Sequence, residues 1–452
     1  MGASVAGTAH RRAEIRSLGN VGFGVVMKKI ATWNDFESLV GSRDIYIYGG
    51  NVEGVGISRM VAANGRPARG FLDTRRFNNG FLRGHQVIDP AKFTGTPQDS
   101  VVIICTKHRE SRGSARKFLQ QHGFVEDRDF LYNSSLCQYY PTIETVGVCN
   151  LRCFSCDMGL AGANRGQKMI TVETFTDALA KLRREVPFLN SIGMYVWGEP
   201  LLHPKIGELI RIAHDNGVAT EFSTNLNNIR NLDAFIEADP DILIVTSSGF
   251  GPSYNITHTG GDFETFRENC KILRQKIDHY KAETFVKYHY LIYKNNRGEE
   301  LEQARAFAQS LGFQFVPILA TLFPGRVHDY VVLGEPLPPE MVEANKHFVY
   351  DIDDQIRWAQ ERKDKPCPFI RAFPTIKWDG NVMHCCNMTK PLVGNGYLNN
   401  TLPELEQMRE ASGFCDRCKS HGVHRVFEVN GRDDYKMSEI AKGNPLPPKA
   451  GA

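Results

Sequence analysis

Between Thr142 and Leu319 the chain alternates short apolar segments with helical stretches six times, a rhythm that few folds accommodate. The strand candidates are 142–148, 191–197, 219–225, 241–247, 284–293 and 313–319, with helical patterns such as 171–185 and 299–312 between them. Strands separated by whole helices run parallel, so the segment is α/β. Periodicity alone leaves a doubly wound sheet and an incomplete barrel both open. A shorter alternation precedes it: DIYIYGG from Asp44, SVVIICT at 100–106 and a helical stretch at 114–123. It predicts a small parallel α/β domain over 39–138, ahead of the larger unit at 139–345.

A chain of 452 residues is long enough for two or three domains. The formal net charge of +3, without a long Lys/Arg block, gives no electrostatic case for a nucleic-acid partner. No apolar run reaches the roughly 18 residues of a membrane span. Arg11 and Arg12 are followed by no signal-peptide core, and Ala6 stands where a myristoylation signal needs Ser or Thr. A cytoplasmic location is therefore expected. Residues 1–38 read as an N-terminal extension and 429–452 as a polar tail. Segment 346–428, Cys-rich and Gly-punctuated from 367, reads as a small C-terminal domain whose fold depends on a bound metal centre.

Eight of the eleven cysteines fall into two groups, 149/153/156 and 367/385/386/415/418. Cytoplasmic proteins rarely use cysteine for disulfides, so each group points to a metal site. Cys105, Cys137 and Cys270 are scattered and read as small buried apolar residues. Cys149-x3-Cys153-x2-Cys156 directly follows a candidate strand. Three thiolates on such a loop can hold three irons of a 4Fe-4S cluster and leave the fourth iron open. Zinc is the alternative, although no His or Cys follows within twenty residues to complete a tetrahedral set.

VCNLRCFSC resembles the signature of the radical S-adenosylmethionine (SAM) superfamily, and two further matches follow in order. Gly198-Glu199-Pro200 closes the second strand and is similar to the motif that receives the methionine amino group. Ser223-Thr224-Asn225 closes the third, and its Ser223 and Asn225 are similar to residues that contact ribose and carboxylate. The resemblance covers roughly 142–320 and implies a partial (β/α)6 TIM barrel with Cys149, Cys153 and Cys156 as cluster ligands. The implied chemistry is reductive cleavage of SAM to methionine and a 5′-deoxyadenosyl radical, which abstracts hydrogen from an unactivated C–H bond. One departure is that Ser155 stands where the superfamily usually has an aromatic residue; Phe154 lies one place earlier.

Cys367-x12-Gly380-x4-Cys385, followed by Cys415-x2-Cys418, can ligate one further 4Fe-4S cluster or a zinc ion. With its WDG turn and GNGY stretch it resembles a SPASM/twitch auxiliary-cluster domain. His424 stands where the next cysteine of a complete SPASM domain would fall, and no cysteine follows. The resemblance thus implies one auxiliary cluster, two 4Fe-4S clusters in all, with Cys386 as a substitute ligand or a bystander. An electron donor such as flavodoxin or ferredoxin is the implied partner.

Gly49-Gly50-Asn51-Val52-Glu53-Gly54, with Asp73 about twenty residues on, approximates a dinucleotide fingerprint. Asn51 stands where the second glycine should let a pyrophosphate approach, so a structural turn is the competing reading. The segment is similar to Rossmann-like domains of sugar-modifying enzymes. On the fifth strand Lys287 and His289 share one face and Tyr288 and Tyr290 the other, and either pair is a candidate to meet substrate. The expectation is a radical SAM oxidoreductase that dehydrogenates or epimerises a sugar-like small molecule. Modification of a ribosomally made peptide and a zinc-binding scaffold are the alternatives.

Overall fold

The computed structural model describes residues 30–74, 80–106, 109–153, 156, 168–321, 324–388, 391–394 and 396–431. The expected polar tail lies almost wholly outside these residues, as does the extension as far as residue 29. Helix α1 (Trp33–Val40) crosses the boundary expected at 38/39, closed at its start by a capping box between Thr32 and Asp35.

Two sheets organise the chain. The first has the order β3-β4-β2-β1-β5-β6, built from β1 (Asp44–Tyr48), β2 (Gly70–Leu72), β3 (Phe81–Leu82), β4 (His85–Ile88), β5 (Ser100–Ile104) and β6 (Phe130–Tyr132). Its strands are parallel except β3, which pairs antiparallel with β4. The order reverses direction between β1 and β5, as in doubly wound folds. Helix α2 (Val52–Ala63) follows β1, and α3 (Arg109–Gln121) follows β5.

The second sheet contains β7 (Thr142–Ile143), β8 (Ser191–Gly193), β9 (Ala219–Thr224), β10 (Ile242–Ser247), β11 (Phe285–Ile292) and β12 (Gln314–Leu319). These six lie side by side in sequence order and all parallel, which is the (β/α)6 arrangement. Helices cover one face: Phe222, Leu243, Val245, Val286 and Ile292 share a buried cluster with Phe235, Phe266 and Leu273 of the helices. Alternate residues point to the opposite, concave face. On β11 burial alternates at every residue, with the helix side buried and the concave side partly exposed.

The C-terminal segment extends this sheet instead of forming a separate body. Strand β13 (Thr375–Ile376) pairs parallel with β7, and β14 (Val382–Met383) and β15 (Pro391–Val393) add antiparallel. Where the sequence pattern weakens after Pro339, the helices Pro339–Asn345 and Ile352–Gln360 still pack an apolar cluster: Met341, Phe348 and Ile352 meet Val423 and Val426.

The two sheets are joined closely. Ala219, Ile242 and Ile244 point from the concave face into the same buried cluster as Val52, Val55 and Met60 of α2. Helix α2 thus lies against the N-terminal ends of the barrel strands. Arg59 of α2 forms an ion pair with Asp241 (2.9 Å), and Arg83 reaches the same carboxylate (3.1 Å). At Gly56 a Cβ would stand 2.1 Å from the Asn190 carbonyl oxygen, so only glycine allows this approach. Gly56→Ala is expected to cost about 1–3 kcal/mol through overpacking, read from the denaturation midpoint.

The glycine turn after β1 is filled by the chain itself. Asp73 accepts the Gly50 N–H (2.7 Å), and Asn51 accepts from Gly54 (3.0 Å) while donating to the Cys105 carbonyl (2.7 Å). Asn51 therefore spans the gap between the ends of β1 and β5, where a nucleotide phosphate would otherwise approach.

Candidate active site

The loops leaving β7, β8 and β9 meet at one end of the barrel. Cys149 accepts the Leu151 N–H (3.4 Å), and the Asn225 side-chain amide lies 3.5 Å from its sulfur. Arg152 N–H donates to Thr259 (2.8 Å) and Cys156 N–H to Cys153 (3.2 Å), which ties the loop down. Burial, then the nearby Glu199, pushes the Cys149 thiol up to about 12. Cys153 is raised by burial and then by the proximity of Cys156 and Cys149, so the three sulfurs share one locale. Phe154 and Ser155 lie outside the described residues.

Gly198 sits where a Cβ would be 1.8 Å from the Val146 carbonyl oxygen, which brings the β8 loop onto the β7 exit. Glu199 then binds the β9 exit. Its carboxylate accepts from Thr224 Oγ1 (2.7 Å), Leu201 N–H (3.1 Å) and Asn225 N–H (2.8 Å). Burial raises its pKa to about 7. Pro200 opens a short 3-10 turn, Pro200–Leu202, after it. Ser223 lies on the concave face with its hydroxyl 3.4 Å from that of Thr246. The three sequence motifs, distant along the chain, are thus one bonded unit.

The concave face below them is polar. Lys287 and His289 point into it, whereas Tyr288 and Tyr290 do not: both are fully buried on the helix side. Tyr290 donates to the Asn296 carbonyl (2.7 Å) and Tyr288 stacks on Phe315. The strand's period of two makes this choice between the pairs once the helices take one face.

Sequence reasoning missed Glu221, which stands opposite Lys287. It accepts from Tyr140 Oη (3.0 Å) and Tyr195 Oη (3.3 Å) and pairs with Lys287 Nζ (3.4 Å). A charged residue at an alternate position of ATEFST was the available signal. Burial, with a smaller contribution from Lys287, lowers the His289 pKa to about 4, so its ring is neutral near pH 7. Glu144 was also missed. Fully buried, it accepts the Trp197 N–H (3.1 Å), and burial raises its pKa to about 7 against the pull of Lys377.

Cys367, Cys385, Cys415 and Cys418 line a common pocket with His328 and Phe414. Cys415 and Cys418 stand one turn apart on the helix Phe414–Ser420. Cys386 does not line the pocket; its thiol is held up first by a hydrogen bond with Cys385 and then by burial. His424 is engaged with the Lys365 carbonyl (2.9 Å). Trp378 of the WDG turn covers Gly147, where a Cβ would be 2.1 Å from its indole nitrogen, so this segment bears on the first cysteine loop. Among the described residues no three His, Cys, Asp or Glu side chains converge on a single-ion site. A four-iron cluster does not require that convergence, since each thiolate takes its own iron.

No curated protein sequence matches the chain. Among solved structures it is similar to anSMEcpe with bound AdoMet (14% identity, 67% of this chain and 88% of that one, TM-score 0.40). It is also similar to SuiB of Streptococcus suis bound to S-adenosylmethionine (13% identity, 66% and 70%, TM-score 0.39). A third is BtrN in complex with AdoMet and 2-DOIA (14% identity, 63% and 91%, TM-score 0.35). Residues 143–308 match the Radical SAM superfamily. The match spans β7 to the helix after β11 and takes in all three bonded motifs, so the chain carries a radical SAM domain.

Proposed function

We propose that this chain is a radical SAM oxidoreductase acting on a carbohydrate-like small molecule. Cys149, Cys153 and Cys156 would hold a 4Fe-4S cluster, and Gly198, Glu199, Pro200, Ser223 and Asn225 would form the SAM site beside it. When bound, these groups supply a 5′-deoxyadenosyl radical able to take hydrogen from an unactivated C–H bond. The observation that carries the reading is the Glu199 carboxylate joining the β8 and β9 exits while Asn225 touches Cys149. The residues fit the group: three clustered thiols, a loop with no room for a Cβ at Gly198, and a polar concave chamber next to them.

Cys367, Cys385, Cys415 and Cys418 would hold a second, fully ligated 4Fe-4S cluster, whose role is electron transfer. Flavodoxin or ferredoxin is the donor class that such chemistry needs. Cys415→Ser combined with Cys418→Ser is expected to lower bound iron from about eight to about four per chain after anaerobic reconstitution. Unchanged iron would remove the second cluster from the account.

The test of the reaction is isotopic. Reduced, reconstituted protein incubated with SAM and sugars deuterated at ring carbons should transfer deuterium into 5′-deoxyadenosine for one labelled position. Transfer only from a peptide substrate would move the assignment to peptide modification.

A further inference from the structure

The chamber wall has a chemistry that narrows the substrate. The concave positions of β9, β10 and β11 carry Glu221, Ser223, Ile244, Thr246, Lys287 and His289 along their middle, with Ala219, Ile242 and Phe285 toward one end and Leu291 toward the other. Glu221 and Lys287 form an ion pair at 3.4 Å, with two tyrosine hydroxyls also donating to Glu221. Among the described residues of these three strands there is therefore no surplus positive charge. Glu221 has its acceptors engaged, while Lys287 has three donors and spends one on this pair. Its side chain is 23% exposed and reachable from the chamber. Thr246 and the neutral ring of His289 each offer both a donor and an acceptor.

The chamber is closed at one end. Helix α2 closes it below, against Ala219, Ile242 and Ile244.

We propose that this chamber binds a neutral, unphosphorylated polyhydroxylated ring, recognised at Lys287, His289 and Thr246, and that Glu221 excludes phosphorylated or nucleotide-linked sugars. Ring hydroxyls both donate and accept, which matches a mixed, charge-balanced wall. A phosphate would instead meet an ammonium whose charge Glu221 already balances, with no further cation on these three strands to receive it. The inference rests on the carbohydrate reading above and sharpens its substrate class.

Saturation-transfer NMR on the full chain, with myo-inositol, glucose, glucose 6-phosphate and UDP-glucose, reads binding without turnover. The neutral rings are expected to bind at least tenfold more tightly than the two phosphorylated compounds. Glu221→Gln, which leaves Lys287 unpaired, should narrow or reverse that preference. The wild-type comparison stands by itself if the variant folds poorly. Equal or tighter binding of the phosphorylated compounds, or no binding of either neutral ring, overturns the proposal. Failure of the radical reading shows separately, as absence of 5′-deoxyadenosine from reduced protein with SAM while the neutral rings still bind.

Discussion

Asp241→Ala is expected to destabilise the protein by about 3–5 kcal/mol, because removing one member of a buried charge cluster strands the others. Asp241 is buried and holds Arg59 (2.9 Å), Arg83 (3.1 Å), His214 (2.9 Å) and the Thr220 N–H (3.0 Å). Arg59 on α2 and Arg83 in the β3–β4 turn belong to the first sheet's unit, and His214 on the helix Ile206–Asp215 and Thr220 on β9 to the second's. The loss should therefore appear as separation of the two sheets as well as a lower unfolding midpoint. Burial by itself would raise the Asp241 pKa, but Arg83, His214 and Arg59 outweigh it and hold the carboxyl well below its usual range. A carboxyl depressed in the folded state stabilises above its unfolded value of about 3.9. That contribution is lost as pH falls below this value toward the folded pKa. Acid titration of the wild type should show a loss of stability in that window that Asp241→Ala lacks.

The second large effect is expected at Glu199. Its carboxylate accepts from Thr224 Oγ1, Leu201 N–H and Asn225 N–H, and truncating the side chain removes this acceptor from all three donors. Each lost bond to a charged group is worth about 1.5–3 kcal/mol. Glu199→Ala should lower the rate of SAM cleavage by at least about a hundredfold, equivalent to about 2.7 kcal/mol, the scale of one such bond. Glu199→Gln should recover only part of this, since its NH2 group presents donors to donors. Bound iron at the first cysteine set should survive in both variants, which separates loop positioning from cluster loss. Equal SAM cleavage in wild type and Glu199→Ala would contradict the role given to this residue.

How far the fold was legible depended on where the determining contacts lie. Strands β9 to β12 fall within a residue of their apolar runs, because both faces are covered or half-covered over their whole length. The expected strands at 142–148 and 191–197 end early, at Ile143 and Gly193. Beyond those points the backbone serves the site: Gly147 N–H donates to Lys168 (2.6 Å), and Trp197 N–H to the Glu144 carboxylate. The β3–β4 hairpin escaped because its turn uses Arg83 and Gly84, both at positive φ, without the usual Asn or Asp signal.

The cysteine, GEP and STN motifs were visible as strings because their residue types are specific. Their joining by Glu199 was not, since it requires strands β7, β8 and β9 to be neighbours. The docking of α2 beneath the barrel was equally hidden. Arg59 and Asp241 are 182 residues apart, and no local pattern links them. The same distance hid the chamber: Glu221 and Lys287 face one another only after two strands are laid beside β10. The glycine turn after β1 shows the opposite case. Its string approximates a nucleotide fingerprint, yet Asn51 and Asp73 occupy the turn with their own side chains.

The central claim, that three clustered thiols at the end of the barrel support radical SAM chemistry, is tested most directly by one anaerobic assay. Reconstituted protein, reduced with dithionite and supplied with SAM, should be brown, carry about eight irons per chain and release 5′-deoxyadenosine. Colourless protein with stoichiometric zinc and no 5′-deoxyadenosine would contradict it.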